Sequence, residues 1–210
     1  MTSVRNCLMP NGIVLGYLAR EIVTGDEYRA HAVAVQDPRI QEICSVSTCI
    51  SPAVKDFDRW AFNEAGYYPT VQSALDAVHQ DRRSRAALFA YRLYLVEFTG
   101  GERKEVTSAE LLGANAPLLI TEEPPARFRS IGFDVVSGRR ALPESQRSPR
   151  APFGLDCSPL SCCGLSVRYA INSYCLLPEY GDAAVTARDF SREEPEPGPY
   201  FIVQVLRAAP

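Results

Sequence analysis

The sequence predicts an α+β fold: one domain over residues 1–210, with a mostly antiparallel sheet and about three to four short helices. Three observations lead there. Strand-like and helix-like stretches alternate irregularly, without the regular order of a parallel sheet wound by helices. Glycine-containing turns separate strand-like runs, as antiparallel hairpins require. Apolar segments recur along most of the chain, broken by one polar stretch at about 137–151. With 46% hydrophobic residues and a net charge of -3, the chain is not disordered. No apolar run approaches the ~18 residues of a membrane-spanning helix.

The elements follow in order. Residues 13–23 read as a long or bent strand, with Gly16 marking a bulge. Thr24-Gly25-Asp26-Glu27 reads as a turn into a second short strand at 30–35, making a hairpin. Ser51-Pro52 opens a helix to about residue 64, with Val54, Phe57, Trp60 and Ala61 at helical spacing. Thr70 caps another, with Val71, Ala74, Leu75 and Val78 on one face. From Ala86 to Phe98 both alternating sets of side chains are largely apolar, which predicts a central strand covered on both faces. Thr99-Gly100-Gly101-Glu102 is a hairpin turn. Thr107 and Glu110 have capping-box spacing before a short helix that Gly113 ends. A strand at 127–136 precedes the polar loop at about 137–151. A strand at about 167–176, a helix at about 181–190 and a last strand from Tyr200 to Leu206 complete the chain.

Composition bears on compartment and partners. Only Lys55 and Lys104 are lysines among 22 basic residues, and Ala and Pro are abundant, a bias typical of bacterial coding. The N-terminal residues lack the pattern of a cleavable leader, so the expected location is the cytoplasm, with no membrane association. Seven cysteines, an odd number, fit reduced thiols better than a disulfide framework. Acidic residues outnumber basic ones and the pI is about 5.5, so no nucleic-acid partner is expected. The arginines at 82, 83 and 85 and at 139, 140, 147 and 150 read as solvated charge.

One pattern stands out. Cys44-Ser-Val-Ser-Thr-Cys49 and Cys157-Ser-Pro-Leu-Ser-Cys162 share the form Cys-Ser-x-x-(Ser/Thr)-Cys. The two segments are expected to lie together in the fold. Four converging thiolates at Cys44, Cys49, Cys157 and Cys162 would suit tetrahedral zinc, although four intervening residues is a wide spacing for such pairs. Convergence without sulfur contact would make them packing thiols at a shared core edge. Redox pairing is the third reading, disfavoured in the cytoplasm. The default is no cofactor, with zinc as the alternative.

A cysteine nucleophile would need a base and an orienting partner. The candidates are Cys157 and Cys162, with Asp156, Ser158 and Asn172 nearby in sequence and His31 as one of two histidines. No phosphate-binding glycine loop, zinc-protease helix or serine-hydrolase elbow is present. Tyr67-Tyr68 after Gly66 reads as an exposed tandem pair of the kind found on protein-binding surfaces. Taken together, the sequence predicts a non-catalytic cytoplasmic interaction protein of the accessory, regulatory or immunity type that binds another protein. The alternative is a cysteine-dependent enzyme or a small Cys-ligated zinc domain.

Overall fold

The computed structural model describes residues 10–31, 37–47, 67–80, 86–113, 122–140 and 153–209. Six strands form one antiparallel sheet: β1 (Gly12–Glu21), β4 (Ala86–Thr99), β8 (Tyr200–Ala208), β6 (Phe128–Arg139) and β7 (Gly154–Leu155) in that order, with β5 (Glu102–Glu105) pairing β4. The remaining strands, β2 (Val23–Thr24) and β3 (Glu42–Ile43), pair with each other. The helices are α1 (Gly25–His31), α2 (Val71–Gln80), α3 (Ser108–Leu112), α4 (Pro159–Cys162) and α5 (Tyr180–Glu193), with a 3-10 helix at Leu165–Arg168. The α+β class and the antiparallel sheet are as the sequence predicts.

Strand β4 lies between β1 and β8 and is buried on both faces, which explains its two apolar sets. One face packs Leu15, Phe89, Tyr91, Leu93, Val203 and Val205 against Ala74 of α2 and Leu111 and Leu112 of α3. On the other face Tyr94, Val96, Phe98, Phe133 and Ile202 meet Tyr180, Ala183, Ala187 and Phe190 of α5. The capping box of α3 is formed: Glu110 N donates to Thr107 Oγ1, and Thr107 N donates to Glu110 Oε2 at 2.7 Å.

Gly16 is a bulge, at φ 134, where the β1–β4 register shifts. A side chain there would meet the Tyr68 carbonyl oxygen at 2.6 Å and Tyr67 Cβ at 2.9 Å. Its absence lets residues 67–68 lie on β1, with Tyr17 and Tyr68 exchanging two backbone hydrogen bonds at 2.9 Å. This corrects the expectation of an exposed tyrosine pair. Tyr67 is 6% exposed and Tyr68 3%.

Three other expectations change. Residues 25–31 are helical, not a turn and strand, while 32–36 lie outside the described residues. Thr24-Gly25-Asp26-Glu27 is a capping box: Thr24 N donates to Glu27 Oε2 and Glu27 N donates to Thr24 Oγ1. The expected strand at 167–176 is the 3-10 helix followed by an irregular loop. Asn172 organises that loop, its Oδ1 accepting from Tyr174 N and Leu176 N and its Nδ2 donating to the Ile131 carbonyl at 2.7 Å. These bonds take the place of a strand ladder. Finally, β6 runs through Arg139, so the polar loop begins later than its predicted start at 137. Residues 141–152 and the predicted helix at 51–64 lie outside the described residues.

Candidate functional site: a buried polar junction

The outer edge of β6 is covered by three loop segments. Leu177 and Phe133 exchange backbone hydrogen bonds, Ser137 N donates to the Cys157 carbonyl, and Asp156 N donates to the Ser137 carbonyl. The strap 37–47 lies alongside: Gln41 N and Glu42 N donate to the Ser173 carbonyl and Cys44 N to that of Tyr174. Close approach of the 172–177 loop to β6 depends on Gly132, at φ 140, where a side chain would meet Leu176 Cβ at 2.8 Å.

Within this packing sits a cluster of buried polar side chains. In the sheet register Asp134 of β6 faces Val203, which faces Leu93, so its carboxylate emerges on the apolar face that also carries Tyr91. It is 0% exposed. Three donors surround it: Ser45 Oγ at 2.8 Å and Val46 N at 2.8 Å on Oδ2, and Ser158 Oγ at 2.5 Å on Oδ1. Burial is the dominant influence and raises its proton affinity above the usual aspartate value, against the pull of these donors.

Arg20 of β1 is 1% exposed and grips the strap from the other side. Its guanidinium donates to the carbonyls of Ser45 and Ser47, and to the Tyr91 hydroxyl at 3.3 Å. Tyr67 stacks at a tilt on Tyr91, ring centroids 5.6 Å apart. An arginine and an aspartate therefore hold one short segment without touching each other. Ser45 is the shared link, its carbonyl facing Arg20 and its hydroxyl facing Asp134. Charges with this little solvent access need such satisfaction, because each unmet partner carries a desolvation cost.

The two Cys-Ser segments do come together here, through their serines. Ser45 and Ser158, each the residue after a cysteine, donate to the same carboxylate. Ser47 Oγ lies 3.0 Å from Cys162 Sγ. Ser158 is the N-cap of α4, yet its hydroxyl goes to Asp134 and not to the helix. Cys44 is buried and burial pushes its thiol up to about 12. Cys157 and Cys162 are half-buried, and Cys49 lies outside the described residues. Among the described residues, no group of three or more His, Cys, Asp or Glu side chains is gathered as a metal site.

The other sequence candidates stand apart from one another. Asp156 is exposed and ion-paired to Arg139 at 3.0 Å. Asn172 is committed to its loop, as described above. His31 ends α1, and its side chain lies outside the described part of the structure. Sequence reasoning missed Arg20, Tyr91 and Asp134. Asp134 stands between the apolar Phe133 and Val135, but Arg20 adjoins Glu21 and Tyr91 adjoins Arg92, so no local signal marks the three as a group.

Two further clamps fix the strap. Asp37, 2% exposed, takes Arg39 Nε at 2.9 Å and Nη2 at 2.7 Å, and these bonds hold its carboxyl below the usual range. Arg39 then donates to the carbonyls of Ser166 and Tyr169, fastening the strap to the 3-10 helix. Arg207 of β8 pairs with Glu42 at 2.6 Å.

Comparison with protein families, with curated proteins and with solved structures finds no match to this chain. No helix among the described residues is long and apolar enough to cross a membrane.

Proposed function

We propose that this chain is a non-catalytic cytoplasmic protein that works by binding another protein, in an accessory, regulatory or immunity-type role. The observation that carries the reading is the commitment of the polar side chains. Asp134, Ser158, Asn172 and Asp156, the groups nearest the cysteines that chemistry would draw on, are each bonded to partners within the fold. A catalytic acid or base must instead reach a substrate proton.

The binding surface we favour lies on the α5 side of the sheet. Among the described residues the exposed large apolar side chains are Val167, 59% exposed on the 3-10 helix, and Val185, 56% exposed on α5. Arg168 joins the two elements, donating to both carboxylate oxygens of Glu193 at 2.6 and 2.7 Å. Tyr169 packs edge-on against Phe190 beneath them. The surface is therefore held in one shape before any partner arrives, which reduces the ordering cost of binding.

The test is affinity capture from the native host with the natural sequence and with a Val167→Asp/Val185→Asp variant. The expected result is a partner retained by the natural chain and reduced at least about tenfold by the variant. Thermal stability should stay within about 2 °C, because exposed substitutions cost little. Recovery of both chains as lone monomers would count against the reading.

A second reading, a cysteine-dependent enzyme, has one observation in its favour. Cys162 is half-buried, and its sulfur sits 3.0 Å from the Ser47 hydroxyl at the margin of the junction.

A further inference from the structure

The α5 side of the sheet carries the charge asymmetry of the chain. Residues 163–199 hold six of its 25 acidic residues and three of its 22 basic ones, a net charge of -3 that equals that of the whole sequence. The remaining residues balance. We infer that the partner of this surface is a basic segment of another protein, with lysine or arginine side chains beside apolar ones, seated where α5 meets the 3-10 helix. The inference rests on the reading of this surface as a binding face.

Helix spacing sets the placement of the charges. Asp182, Val185, Asp189 and Glu193 follow one another at intervals of three and four, so they line one stripe of α5. That stripe borders the 3-10 helix, since Glu193 accepts two hydrogen bonds from Arg168 there. Arg188 and Arg192, four apart, run along a second stripe. Arg192 lies over Gly101 in the β4–β5 turn, so close that a side chain at 101 would meet it. The helix therefore separates its charges, with acids beside the 3-10 helix and an arginine on the turn.

The acidic stripe encloses apolar surface. Val185 stands between Asp182 and Asp189, and it is 56% exposed, as Val167 of the 3-10 helix is 59% exposed. Among the described residues, the ion pair made on this stripe is that of Glu193 with Arg168, and Asp182 and Asp189 form none. An apolar pair with such a border fits an apolar side chain flanked by cations. The carboxylates steer a basic segment in and repel an acidic one, while the valines supply apolar area for it to cover. A neutral segment would desolvate the carboxylates without giving them partners.

The test uses a displayed library of random peptides of about 16 residues, close to the length of α5. The library is selected on the immobilised natural chain and depleted on a Val167→Ser/Val185→Ser variant, which leaves the charge unaltered, so that binders of this surface survive. The survivors are expected to carry a net charge of about +3 or more together with apolar residues. Neutral or acidic survivors would overturn the inference while leaving the surface a binding face. No survivors would overturn both. One survivor is then titrated against Asp182→Asn/Asp189→Asn. At ~0.1 M salt its binding should be at least about fivefold weaker than to the natural chain. The difference should shrink below about twofold at ~1 M, where the screening length falls from ~10 to ~3 Å. Equal binding at ~0.1 M would overturn the proposal. Should Asp182→Asn loosen the first turn of α5, Asp189→Asn alone decides, with at least about twofold weaker binding expected at ~0.1 M and no change contradicting it.

Discussion

Replacing Asp134 with alanine is expected to lower stability by about 3–5 kcal/mol, the loss that follows when one member of a buried charged network is removed. The substitution takes the acceptor away from three donors: Ser45 Oγ, Val46 N and Ser158 Oγ. The two hydroxyls can turn toward other acceptors, but the Val46 amide cannot. An unsatisfied buried donor costs about 1–3 kcal/mol by itself. The variant also removes the carboxylate that shares Ser45 with Arg20, whose own side chain is 1% exposed. Urea denaturation checks this through a lowered midpoint at unchanged slope. Asp134→Asn separates geometry from charge. Its amide oxygen can accept from Val46 N while its NH2 donates to Ser158 Oγ, so it should lose less than half as much. A Asp134→Ala variant within about 1 kcal/mol of the natural chain would mean that the junction is not anchored as described.

Arg20→Ala should cost a similar amount, about 3–5 kcal/mol, for the complementary reason. The carbonyls of Ser45 and Ser47 and the Tyr91 hydroxyl lose their donor together. Removal of so long a side chain from the core also leaves a cavity beside Tyr67 and Tyr91, and cavities add to the loss. Because Ser45 is bonded to both charges, the two losses are not independent. Once either anchor is gone the strap no longer presents Ser45 correctly to the other. The double variant should therefore fall short of the sum of the singles by about 1–2 kcal/mol in a double-mutant cycle. Strict additivity would show that Arg20 and Asp134 act on separate parts of the structure.

Much of the sheet is readable in the sequence, for local reasons. The two apolar sets of β4, the glycine pair after Thr99, the Thr107–Glu110 box and the bulge at Gly16 each depend on residues close in the chain. The misreadings depend on contacts far apart or on side chains that replace backbone pairing. Tyr67 and Tyr68 look like a surface pair until Gly16 opens a place for them against β1. The 167–176 stretch has strand-like composition, but Asn172 satisfies its backbone without a ladder. Thr24 to Glu27 has turn composition and capping-box spacing at once, and the spacing decides.

The candidate site was readable in outline only. The repeated Cys-Ser pattern correctly placed two distant segments together, and directed attention to the sulfurs. The contacts run instead through the serines next to them and through Asp134, which lies in neither segment. Nothing local marks Asp134 or Arg20 as fully buried. Each sits in a strand where a charged residue would ordinarily face solvent, and only the strap folded over them changes that.

Whether the junction is a fastening or a reactive centre is decided by labelling the native protein with iodoacetamide and reading each cysteine by mass spectrometry. A fastening leaves Cys44 and Cys175 unreacted until the fold opens, since both are buried. It also leaves Cys162 no faster than the exposed Cys163, whose sulfur lies 3.2 Å from Glu196 Oε1. A Cys162 that reacts at least about tenfold faster than Cys163 at neutral pH would be an activated thiol, and would contradict the non-catalytic reading.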